Sequence, residues 1–140
     1  MQSTDYIDIL LSLQKLSAFG MLVVIWFVQI LHYPSFRFIA REKFESFESM
    51  HQHRISYIVI PLMLTELILA SYFLIFTSHW LSLLNLFLVL FLWIYTFLVS
   101  AKIHGKLNDS HSIDLIEKLI STNWLRTSVW TIKFLLLLLW

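Results

Sequence analysis

The chain has 140 residues, of which 59% are hydrophobic, 16% aromatic and only 14% charged, with a formal net charge of +1 and no cysteine. Soluble domains carry roughly 25% charged residues, so this composition reads as one integral membrane domain, and the small net charge gives no reason to expect nucleic acid as a partner. The lack of cysteine excludes disulfide frameworks, iron–sulfur clusters and thiol chemistry, and with them the quinone-linked disulfide enzymes built on four helices.

In chain order, Met1-Gln2-Ser3-Thr4-Asp5 has no positive region, so a cleaved signal peptide is not expected. A spanning helix needs about 20 mostly apolar residues. Four segments qualify: residues 13–31, 55–77, 81–103 and roughly 124–140. Tyr33-Pro34-Ser35 is expected to break the chain after the first span. The following stretch places Phe44, Phe47, Met50 and His51 at helical spacing, which predicts an amphipathic interfacial helix over 41–53 that runs into the second span. Spans two and three are joined by Ser78-His79-Trp80 and should form a tight hairpin. In the last connection, Ser112 is placed to cap a helix supported by Asp114 and Glu117.

Lys and Arg set the expected orientation. Arg37, Arg41, Lys43 and Arg54 lie in the first long connection, and Lys102, Lys106, Lys118 and Arg126 flank or lie in the second. The positive-inside rule then makes both long connections cytoplasmic and both termini external, as in a bacterial inner-membrane protein. The expected fold is an all-α, single-domain, four-helix membrane bundle, with the lipid bilayer as its surroundings and a homo-oligomer as an open possibility.

Glu66 stands out because it lies inside an apolar run. A carboxylate at bilayer depth costs roughly 2.5–3.5 kcal/mol on insertion scales and usually marks a function. Its inert alternative is a protonated carboxyl hydrogen-bonded to a neighbouring helix. His32, His51, His53 and His104 cluster near the cytoplasmic helix ends. His51 and His53 are two apart and cannot share a helix face, and His51 continues the Phe44/Phe47 face. Gln29 and His32 share a face on the first helix; Trp93, Thr96, Ser100 and His104 form a stripe on the third. On the fourth, Asn123, Thr127 and Thr131 form one stripe and Arg126, Trp130 and Lys133 another. Arg126 is read as either a snorkelling charge or the balance for a buried carboxylate, and Lys133 as snorkelling outward. Each histidine also has a plain reading as a wet interfacial side chain, with His79 and His111 as loop residues.

Imidazoles and a carboxylate together suit iron, copper or zinc, and two facing imidazoles suit haem. The expected metal set is His32, His51, His53, His104 and Glu66, with Glu66, Asn123 and Arg126 as catalytic groups. Val28-Gln29-Ile30-Leu31-His32-Tyr33-Pro34, His51-Gln52-His53-Arg54 with Pro61 and Glu66, and Asn123-Trp124-Leu125-Arg126-Thr127 resemble small bacterial four-helix membrane proteins that are similar to the anthrone-oxygenase-like family. The resemblance implies a four-helix bundle with cytoplasmic histidines and oxygen-linked chemistry on an aromatic substrate. The functional expectation is a metal- or haem-dependent membrane oxidoreductase acting on a small apolar molecule. The alternatives are a proton-coupled small transporter using Glu66 and a non-catalytic accessory membrane subunit.

Overall fold

A computed structural model describes residues 3–77 and 79–140, and these form helices with no strand among them. Four rods run along one another. Rod α1 (3–38) is the α-helix Ser3–Phe27, a π turn Val28–His32, a short α turn Tyr33–Ser35 and a 3-10 turn Phe36–Phe38. Rod α2 is Arg41–Phe76. Rod α3 (80–109) is Trp80–Tyr95, a second π turn Thr96–Ser100, and Ala101–Asp109; α4 is Ile113–Leu138.

Pro34 does not end the first helix as expected. Proline cannot donate to the carbonyl of Ile30 and its ring crowds that oxygen. The backbone widens into the π turn over the preceding residues, with the Tyr33 N–H bonded to the Val28 carbonyl, and helical structure continues to Phe38. Both long connections are likewise mostly helix. The expected interfacial segment is the first part of α2, one continuous helix of 36 residues. At 1.5 Å per residue α2 is about 54 Å long, well beyond the ~30 Å of a bilayer's hydrocarbon core. Ser112 caps α4 as the sequence suggests, its side chain accepting from the Leu115 N–H at 3.4 Å. Ser78, the first residue of the expected hairpin connection, lies outside the described residues. Beside it, His79 caps α3 by accepting from the Leu81 N–H and stacks on Trp140, fixing the end of α4 to the hairpin.

The extended ends persist as helix because they bury a core of their own. Val28, Tyr33, Phe36, Phe44, Ile103, Leu107, Ile116 and Leu119 pack together there, drawn from all four rods. On its rim Arg37 makes a two-pronged bond to Glu117, at 2.5 and 2.7 Å. That hydrogen bond holds the Glu117 carboxyl below the usual carboxylate range. A second apolar cluster, Met21, Ile25, Met63, Leu92 and Trp130, fills the middle of the bundle.

The outward surface is apolar and much of the polarity is inside. Leu16, Ile68, Ile75, Phe87 and Leu135 are exposed, whereas Gln14, Glu48, Glu66, Asn85, Arg126 and Lys133 are buried. By length and composition α1, α2 and α3 could each cross a membrane. Rod α4, with 26 residues, is long enough, but Asn123, Arg126 and Lys133 lower its hydropathy while pointing into the bundle. The end core should therefore carry real stability: Phe36→Ala, which removes a fully buried ring, should cost about 3–5 kcal/mol in reversible unfolding in mixed micelles.

Candidate functional site

Three of the rods bring titratable groups to one level just below the end core. The π turn of α1 delivers Gln29 and His32 and leads directly to Tyr33. Single π turns inside α-helices often occur at functional sites. On α2 the spacing of Glu48 and His51 faces both inward; on α3 the second π turn leads to Ser100 and His104.

The contacts form two short chains. Glu48, fully buried, accepts at Oε1 from His104 Nδ1 and from Gln52 Nε2. His104 Nε2 lies 2.9 Å from the Tyr33 hydroxyl. With Glu48 ionised, His104 donates from Nδ1 and its Nε2 accepts the Tyr33 proton. A carboxylate that fixes the tautomer and orientation of an imidazole is the usual support for a general acid or base. The second chain is His32 Nε2 to His51 Nδ1, at 2.7 Å. His51 Nε2 has no hydrogen bond to another described residue.

From α4, Asn123 donates to the Gln29 side-chain oxygen at 2.8 Å, and Arg126 donates to Asn123 Oδ1 at 3.0 Å and Ser100 Oγ at 3.3 Å. The Arg126 and Tyr33 side chains line the same cavity. Arg126 is only 5% exposed, Nε has no partner, and no carboxylate among the described residues forms an ion pair with it. A buried cation without a counter-ion is costly, so this unpaired guanidinium is the site's main electrostatic feature.

These groups surround one end of a cavity of about 250 Å3. Tyr33, His51, Thr96, Ser100, His104 and Arg126 make its polar end; Met21, Ile25, Val59, Met63, Trp93 and Phe97 are among its apolar walls. The expected α3 stripe of Trp93, Thr96, Ser100 and His104 lines it throughout. It is at the small end of ligand-site volumes, and its mixture of apolar wall and a few convergent polar groups is the usual character of such sites.

Several expected residues lie elsewhere. His53 is exposed and bonded to Tyr57. Glu66 is bonded to Lys133, Oε2 to Nζ at 2.5 Å, and does not line the cavity. Lys133 thus points inward, over the Trp130 ring, rather than snorkelling outward, and Glu66, the carboxylate that one of the two readings of Arg126 gave it to balance, is balanced by Lys133. Among the described residues no three His, Cys, Asp or Glu side chains are arranged to hold a metal ion. The physical reason is that their donor atoms are turned on one another: His32 on His51, His104 on Glu48 and Tyr33. The same contacts occupy both ring nitrogens of His104 and one of His51.

Glu48 and Tyr33 are the groups the sequence reading passed over. Phe44, Glu48 and His51 are spaced i, i+4, i+7, so the face chosen for His51 already contained Glu48. It was concealed by the run Glu42, Glu45, Glu48, of which only the last turns inward. No family model matches the sequence, and neither a characterised protein nor a solved structure matches it.

The buried Glu66–Lys133 pair gives a stability prediction. Removing one partner leaves the other without its counter-ion in an apolar interior, where it must be neutralised at a cost, so Glu66→Leu or Lys133→Met alone should cost about 3–5 kcal/mol. The double substitution should cost clearly less than either single one, measured by unfolding in the same micelles.

Proposed function

We propose that the chain is an integral membrane protein whose inner cavity binds a small apolar molecule bearing one acidic or carbonyl oxygen, and transfers a proton to or from it. Membrane insertion is supported by the inverted distribution of polarity, since an apolar outer surface this extensive needs lipid or protein to cover it. Arg37, Arg41, Lys43, Arg54, Lys102, Lys106 and Lys118 all belong to the histidine end, which supports a cytoplasmic site and external termini.

The observation that carries the chemistry is Arg126: a buried, unpaired guanidinium at the polar end of an apolar cavity. It would receive the oxygen on which negative charge forms, with the Ser100 and Tyr33 hydroxyls beside it. His51 Nε2, the ring nitrogen left free by the bond to His32, would take the substrate's proton, leaving the substrate anion and an imidazolium. His104, oriented by Glu48, would hold or return a proton through Tyr33. An aromatic substrate, as implied by the resemblance to the anthrone-oxygenase-like family, would lie against Trp93 and Phe97. Every role is assigned to the chain's own side chains, and the metal expected from the sequence has no part in it.

The probe is 4-nitrophenol, whose phenolate is coloured and whose phenol is not. Added to detergent-purified protein below the probe's own pKa, it should bind as the phenolate, and Arg126→Gln should weaken that binding about tenfold or more, equivalent to ~1.4 kcal/mol. Binding as the neutral phenol, or no binding to a folded protein, would contradict the reading.

A further inference from the structure

The opposite half of the bundle contains a second set of buried polar groups that the cavity does not use. Gln14 and Ser17 come from α1, Glu66 from α2, Ser82 and Asn85 from α3, and Lys133 from α4, and all are buried. Only the Glu66–Lys133 bond joins two of these rods within the set. Gln14 Nε2 and Oε1, Glu66 Oε1, and Asn85 Nδ2 and Oδ1 have no partner.

These atoms lie at neighbouring levels. Gly20 of α1 faces Leu62 of α2, a Cβ on the glycine meeting a Leu62 methyl at 3.3 Å. The rods are antiparallel, so Gln14 lies about 9 Å beyond that contact and Glu66 about 6 Å beyond it, in the same direction. Asn85 and Lys133 share the lining of a small cavity of about 10 Å3. That is room for about one water, and a buried water usually satisfies two to four polar partners. Native interiors leave few polar atoms unpaired, so the unpaired Asn85 amide beside Lys133 and the unpaired Oε1 of Glu66 call for an occupant that both donates and accepts. Water does both.

We infer that Glu66, Lys133, Asn85 and Gln14 enclose a hydrated proton-exchange site in the half of the bundle opposite the histidines. A water held by Asn85 carries a proton between the surrounding solution and the free Oε1 of Glu66. Within the pair a proton passes from Lys133 Nζ to Glu66 Oε2, turning ammonium and carboxylate into amine and carboxylic acid with no change in net charge. A carboxyl fixed purely for structure would have both oxygens satisfied by protein; Oε1 of Glu66 is buried with no protein partner. The inference stands independently of the inner cavity.

The test uses the full chain in liposomes. Lys133→Met leaves Glu66 as an uncharged acid, with an infrared C=O band that Lys133→Met/Glu66→Gln lacks. In deuterated buffer the band should shift as fast as the bulk solvent exchanges, and adding Asn85→Leu should slow the shift about tenfold or more. A band that shifts only with the slowest backbone amides, or at a rate indifferent to Asn85→Leu, overturns the inference. A second measurement leaves the ion pair intact. The chain has no cysteine, so Asn85→Cys introduces a single thiol, with silver ion as the probe. Capture should be about tenfold faster or more than at Leu83→Cys, on the outward face of α3. Equal rates overturn it.

Discussion

The arrangement depends on one constraint: four charged side chains, Glu48, Glu66, Arg126 and Lys133, are buried in this bundle, so each must be met by a polar group on another rod. The Lys133–Glu66 pair is the clearest case, with both side chains almost fully enclosed and joined at 2.5 Å. Such a pair adds little net stability, because desolvating two ions consumes most of what their attraction returns. What it supplies is register. With Lys133 fixed opposite Glu66, α4 cannot slide or rotate against α2 without exposing a charge to apolar surroundings, and that register sets where Arg126 and Asn123 meet α1 and α3.

Along α4 the buried polar groups divide into two sites with different chemistry. Asn123, Arg126 and Thr127 join Gln29 and Ser100 next to the histidines, and Lys133 joins Glu66 beyond the mid-bundle cluster around Trp130. In the first, a buried guanidinium has no anion; in the second, a matched ion pair has Asn85, a neutral group short of partners, beside its lysine. The first therefore favours an anionic or anion-forming ligand, and the second favours water. Between them the apolar walls of the cavity separate the two environments, which is the separation a buried acid–base site needs to hold its charges apart from solvent.

The gross fold was legible because apolar runs of spanning length survive any local irregularity. The same is true of helical spacing: it grouped Trp93, Thr96, Ser100 and His104 into one stripe, which lines the cavity, and favoured His51 over His53 as the inward one. What the sequence concealed was where helices stop. Pro34 signals a break under the ordinary rule, but a π turn absorbs the lost hydrogen bond, and that turn is what directs His32 and Tyr33 into the site. Partner choice was concealed too. Glu66 has no sequence signal selecting Lys133 over Arg126, since both are inward positions on one helix and only packing decides. Glu48 looked like a member of a solvated charge run because two of its neighbours in that run are.

Rod α4 is the most direct test of the account, because its charges lower its hydropathy and only their inward orientation would allow it to lie in lipid. Single spin labels at Ile132, Leu135 and Leu138, on the exposed face of α4, can be read by electron paramagnetic resonance in liposomes for collision with oxygen and with a water-soluble nickel chelate. The account predicts oxygen-rich, nickel-poor environments at all three, matching labels at Leu83 and Phe87 on α3. Labels on α4 that collide freely with nickel while those on α3 do not would place this rod in water and contradict a membrane bundle of four rods with its charges turned inward.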